Sequence, residues 1–137
     1  MTDDEQVLAI LESFTVSWKS LDGAAVAECL ENSALTTVIG TDPGEYIVGR
    51  DAYRSGWERG AYPTSVAAFD WAEEPVVMVE GTVAWAHGVV SYDMVVPDQS
   101  RVTGRMWIST TLRRKATWRI VHLHASYADQ PVKSPTV

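Results

Sequence analysis

The chain has one cysteine, Cys29, among 137 residues. A single thiol excludes an internal disulfide and any cysteine-rich metal centre, and it points to a reducing, cytoplasmic setting. No apolar run reaches the ~18 residues that a membrane-crossing helix needs, so no membrane partner is expected. The opening residues, Met1-Thr2-Asp3-Asp4-Glu5, are acidic and carry no apolar stretch, which is not the pattern of a secretory signal. Positive charge is scarce: 11 Lys and Arg stand against 18 Asp and Glu, a net charge of −7. Nucleic-acid phosphates would be repelled by such a surface, so no nucleic-acid partner is expected. Nor is there a phosphate-cradling loop. Gly40, Gly44 and Gly49 read as turn glycines, with no strand–glycine–helix pattern ending in Lys.

What is present is an ordinary globular balance, 46% apolar and 21% charged. A chain of this length buries roughly 68% of its unfolded surface, enough for one domain without staples. Val7, Leu8, Leu11, Phe14 and Trp18 recur at helical spacing over 4–21, behind an acidic first turn that suits the positive helix end. Asp22 reads as the cap of a short second helix that turns Val26, Cys29 and Leu30 inward. Residues 35–40 and 45–48 read as a hairpin around Thr41-Asp42-Pro43-Gly44. A third helix over 51–60 places Tyr53 and Trp57 on one face. Strands are expected at 64–72, 75–80, 82–96, 101–114 and 117–127. Helices first and a long meander afterwards is an α+β arrangement, a single domain over 1–128 with a poorly ordered tail over 129–137.

Strand alternation sorts the side chains into two faces. One is mixed and aromatic: Trp85, His87, Val89 and Ser91; Arg105, Trp107, Ser109 and Thr111; Trp118, Ile120, His122, His124 and Ser126. The other is apolar: Ala84, Ala86, Val90, Tyr92 and Met94; Met106, Ile108 and Leu112; Val121, Leu123, Ala125 and Tyr127. Neither is mostly charged, so both are expected to be covered. The mixed face suits a pocket with a few polar anchors. The apolar face suits a two-fold subunit interface. A bulge would swap the faces part-way along a strand.

The order of elements, Gly104-Arg105 opening one strand, and the closing run Trp118-Arg119-Ile120-Val121-His122-Leu123-His124-Ala125-Ser126 together resemble the SnoaL-like and ketosteroid isomerase-like members of the nuclear transport factor 2-like superfamily. The resemblance spans about 5–128. It implies a cone-shaped α+β barrel in which a curved antiparallel sheet wraps three N-terminal helices around a deep pocket, usually in a homodimer. Members include isomerases, cyclases, hydrolases, dehydratases and plain binders, so the fold settles no chemistry. The resemblance to the isomerase can be followed residue by residue. Where that enzyme has a first-helix Tyr, this chain has Phe14 or Ser13. Its base position on the hairpin strand reads Thr37-Val38-Ile39-Gly40, with no carboxylate. Its sheet Asp falls at or near Ser109. The carboxylate pair and Arg of the related epoxide hydrolases are not evident.

The remaining candidates come from the mixed face. His124 and Arg105 are the expected catalytic pair, an imidazole near neutral pKa and a guanidinium able to hold an anionic or carbonyl ligand. A structural role for His124, hydrogen-bonded to Ser109 or to backbone, stands beside that reading. His122, His87, Ser109, Ser126, Trp107, Trp57, Tyr53, Trp18 and Phe14 are the expected lining, and Tyr46 can add a hydroxyl at the mouth. The six tryptophans either wall a pocket for a flat ligand or simply fill a wide cone. His-x-His with a third His or Asp93 has metal-ligand character, but no metal and no cofactor are expected. Arg113-Arg114-Lys115 reads as a solvated turn. A small hydrophobic or anionic ligand is the expected partner. A non-catalytic association module is the alternative.

Overall fold

The computed structural model describes residues 1–60 and 62–136, which form three helices and eight strands. Helix α1 (Asp3–Lys19) is started by a capping box: the Thr2 hydroxyl accepts from the Glu5 backbone N–H at 3.2 Å, and the Glu5 carboxylate accepts from the Thr2 N–H at 3.2 Å. Its inward stripe, Val7, Leu11 and Phe14, is buried. Asp22 caps α2 (Gly23–Glu28) by accepting from the Ala25 N–H at 3.0 Å, and Val26, Cys29 and Leu30 face the core. Helix α3 (Arg50–Glu58) begins at Gly49, whose φ of +96° suits a residue without Cβ.

The strands are β1 (Thr37–Ile39), β2 (Tyr46–Val48), β3 (Ser65–Trp71), β4 (Val76–Glu80), β5 (Val83–Val95), β6 (Ser100–Arg114), β7 (Trp118–Tyr127) and β8 (Val132–Pro135). They form one curved sheet in the order β2-β1-β7-β6-β5-β3. The long strand β5 pairs with β4 along its first half and with β3 along its second, while β8 pairs with the start of β6. The α+β cone expected from the sequence is therefore present, with two differences. The sheet is mixed rather than antiparallel, because β1 runs parallel to β7, with Val38 beside Leu123. The tail expected to be poorly ordered carries β8, which is held to β6 by register from Ser100↔Pro135 to Thr103↔Val132. All four β8 residues are exposed, so this strand lacks the apolar alternation that marks the others.

The concave face of the sheet packs on the helices. Val7, Leu11, Val26, Leu30, Leu112, Trp118 and Ile120 close the narrow end of the cone. The Trp118 Nε1–H donates to Asp3 Oδ1 at 3.2 Å. Glu31, buried at this end, accepts from Arg113 at 2.6 and 3.2 Å and pairs with Lys115 at 3.2 Å. The hydrogen bonds from Arg113 hold its carboxyl below the usual range. The 113–115 turn is thus only partly a solvated one: two of its cations neutralise a buried carboxylate.

Candidate functional site

The wide end of the cone is a cavity of about 920 Å³. Its lining comes from the apolar strand face: Tyr92 and Met94 of β5, Met106 and Ile108 of β6, and Leu123, Ala125 and Tyr127 of β7. This corrects the assignment of faces. Alternation separated the two sets along β5 and β6 and along β7 beyond its bulge, but the apolar set points at the helices and the cavity, and the mixed set points outward. On that outer face ladder register does bring the polar residues together. His87 lies opposite Ser109, and Ser109 opposite His124. Trp107 lies opposite Ser126, and Thr111 opposite His122. None of His87, His122, His124, Ser109, Ser126, Trp107 or Arg105 lines the cavity. Arg105 is engaged outside, donating to Asp129 at 2.6 and 3.1 Å. The outer-face indoles are among the more exposed large side chains, Trp85 at 40% and Trp107 at 47%.

One residue explains why β7 misleads. Thr111 pairs with His122 and Leu112 with Ile120, leaving Val121 unmatched in a bulge. Trp118 and Ile120 therefore point inward, whereas His122, His124 and Ser126 point outward, although all five share parity in the sequence. The same reading assigned the sheet acid position to Ser109. Ser109 is outward, and its neighbour Ile108 lines the cavity.

Of the helix-borne candidates, three line the cavity and Trp57 does not. Phe14, Trp18 and Tyr53 line the cavity. Trp18 stacks on Phe69 with centroids 5.0 Å apart and meets Tyr62 edge-on at 5.5 Å. Its Nε1–H donates to the Tyr53 hydroxyl at 3.2 Å. Trp57 stands behind this wall, stacked on Tyr62 at 4.6 Å, with its indole N–H buried and without a partner at hydrogen-bond geometry among the described residues. Burial pushes the Tyr53 and Tyr62 hydroxyls up, Tyr62 to about 12, so both remain neutral donors.

Polar chemistry gathers at the mouth, in residues the sequence reading passed over. Asp42, read from the sequence as part of the turn, and Glu45, read as the first residue of the returning strand, both line the cavity. The hairpin strand lacks a carboxylate, but the turn beyond it supplies two. Glu45 folds back over Gly40, where a Cβ would collide with its carboxyl. Burial first, then the hydrogen bond and charge of Asp42, push Glu45 up to about 7. Asp42 accepts from the Tyr127 hydroxyl at 3.1 Å. Tyr92, 4% exposed, has a buried hydroxyl with no hydrogen-bond partner among the described residues. A signal for it was in the alternation: Tyr92 and Tyr127 are hydroxyl-bearing residues on an otherwise apolar face. Pro131 and Lys133 of the C-terminal segment complete the rim.

Among the described residues, no three His, Cys, Asp or Glu side chains come together as a metal site. His122 and His124 lie on the outer face, and Asp93 is held by Arg101 at 2.7 and 2.9 Å. No described helix is long and apolar enough to cross a membrane. Cys29 is buried, which pushes its thiol up to about 11.

A family model for the SnoaL-like domain matches residues 7–130. No curated protein sequence matches the chain. Solved structures of the same shape include a nuclear transport factor 2-like superfamily protein from Salmonella enterica serovar Typhimurium, 18% identical, covering 93% of this chain and 92% of that one with a TM-score of 0.81. A protein of Novosphingobium aromaticivorans, assigned by its name and without proof to the scytalone dehydratases, is 12% identical with a TM-score of 0.78, covering 97% and 88% of the two chains. A nuclear transport factor 2-like protein of unknown function from Pseudomonas putida is 19% identical with a TM-score of 0.71, covering 90% and 84%. At these identities the likeness is one of fold.

Proposed function

From the chain's membership of the SnoaL-like domain family, within the nuclear transport factor 2-like superfamily, we propose that it binds a small, mostly apolar, ring-bearing molecule and acts on it by acid–base proton transfer. The observation that carries this reading is the cavity of about 920 Å³, aromatic on one wall and polar only at its mouth. Its volume is that of sites for drug-sized ligands. Phe14, Trp18 and Phe69 offer a flat apolar surface, and Trp18 is fixed by its bond to Tyr53.

Glu45 is the proton-transfer group. At about 7 it is divided between acid and base forms near neutral pH, which favours transfer in either direction. Asp42, which accepts from the Tyr127 hydroxyl, lies beside Glu45 and helps hold its proton. The supported reaction class is proton abstraction beside a carbonyl, or its reverse, as isomerases, cyclases and dehydratases perform. The dehydratase name of the Novosphingobium protein of the same fold is consistent with that class. The test is hydrogen–deuterium exchange at the carbon beside the carbonyl of 2-tetralone, followed by NMR with and without the protein. Acceleration that is lost in Glu45→Gln is expected. Equal exchange with wild type and Glu45→Gln would remove the catalytic half of the reading and leave a binding protein.

A second reading concerns the outer face. Trp85 and Trp107 are large apolar side chains on a sheet face without covering helices, which favours association there. We take the occupant to be a second copy of the chain, so that pocket and interface occupy opposite faces. The lone buried thiol fits a reducing, cytoplasmic location.

A further inference from the structure

We infer that the Tyr92 hydroxyl is the donor that holds an uncharged carbonyl oxygen of the ligand, and that Gly104 is the seat that aims it. This rests on the reading of the cavity as a ligand site. Tyr92 lies on the inward side of β5, directly across the ladder from Gly104 of β6. A Cβ on Gly104 would stand 2.8 Å from the Tyr92 Oη and 3.1 Å from its Cζ, so the phenol rests on bare backbone. No other residue could occupy position 104 without moving the ring. Tyr92 is among the residues that line the cavity, and its hydroxyl is buried with no hydrogen-bond partner among the described residues. A buried unpaired hydroxyl is destabilising, and one carried by a residue of the cavity wall gains when a ligand brings an acceptor to it.

The neighbours decide what kind of acceptor. The nearby carboxylate of Asp42 already takes the Tyr127 hydroxyl at 3.1 Å. Burial, with the influence of Tyr127, Asp42 and Asp129, pushes Tyr92 up to about 12, so it stays an O–H donor. The same carboxylates repel a ligand carboxylate. Of the cations that line the cavity, Lys133 is engaged with Asp98 at 2.8 Å and Arg59 is exposed at the end of α3; Arg105, outside the cavity, pairs with Asp129. A neutral ketone-type oxygen on a flat ring system is the chemistry that suits an uncharged O–H donor beside these carboxylates.

Three probes of one shape separate the outcomes: 2-acetylnaphthalene, 2-ethylnaphthalene and 2-naphthoate, titrated by ligand-detected NMR. Wild type should bind the ketone about tenfold more tightly than either other probe, the effect of one buried hydrogen bond. Tyr92→Phe should erase the ketone's advantage and leave the hydrocarbon's affinity unchanged. Its unliganded melting temperature should equal or exceed that of wild type, because an orphan hydroxyl is removed. Gly104→Ala, which keeps the hydroxyl but displaces it, should also reduce the ketone's advantage. The anchor role is overturned if Tyr92→Phe keeps the preference, if naphthoate binds tightest, or if Tyr92→Phe melts several degrees lower. Equal binding of ketone and hydrocarbon by wild type sinks the anchor alone. Failure of all three probes to bind sinks the cavity reading with it.

Discussion

Glu45 is a carboxyl whose surroundings oppose its charge. Burial removes water, and Asp42 lies beside it in the same turn. Tyr53 and Tyr62 from the helix side and Tyr127 from β7 also feel its field, and none of them is a cation. The folded value of about 7 lies above the ordinary 4.5, so the folded chain binds this proton more tightly than the unfolded chain. That contribution is complete below about 4.5 and is lost as the pH rises through about 7. Glu45→Gln, neutral at every pH, should therefore melt higher than wild type at about pH 8, and the difference should close toward about pH 5. Thermal unfolding at several pH values measures it, and an offset independent of pH would contradict the assignment. Gly40→Ala, which denies the Glu45 carboxyl its place, should abolish the same pH dependence. By contrast, His124→Ala and Arg105→Ala should leave ligand affinity unchanged, since both side chains lie on the outer face. A tenfold loss in either would return them to the site.

At the scale of elements, the sequence spoke clearly wherever alternation was long. Strands β5, β6 and β7 lie within about a residue of where their apolar periodicity puts them, because each pairs its buried face over many residues. Alternation could not say which face is inner, since neither is charged, and a cavity lined by Met, Ile, Leu and Ala reads like an interface. One extra residue at Val121 then moved the histidines to the other side, and nothing in Arg119-Ile120-Val121-His122 marks that bulge. The parallel pairing of β1 with β7 joins segments more than eighty residues apart in the chain and leaves no local trace. Strand β8 lacks any apolar signature, yet it edges the mouth. It is held by four ladder positions and by the exposed Lys133–Asp98 pair. Ending the chain at Ala128 should therefore spare the core, with an unchanged circular dichroism spectrum apart from a small loss of strand, while ligand dissociation measured by stopped flow should quicken several-fold. Unaltered dissociation would mean that the strand plays no part in closing the cavity.

For the molecule as a whole, one curved sheet separates two environments. The concave face is filled by helices and ligand cavity. The outer face presents Trp85 and Trp107, 40% and 47% exposed, around the row His87–Ser109–His124. Large indoles facing water lower solubility, and in the dimer proposed for this face the polar neighbours between them would give hydrogen-bonding specificity across a two-fold axis. A self-complementary face of this kind must bury on the order of 1,200–2,000 Å² to hold a stable dimer. Light scattering should then give twice the chain mass of 15.1 kDa. Trp107→Glu should halve it, because a carboxylate would be desolvated twice at the centre of the interface. The variant should keep its fold and its ligand affinity, since Trp107 touches neither core nor cavity. A wild-type monomer at high micromolar concentration would refute the dimer. A dimer that survives Trp107→Glu would place the interface on another face.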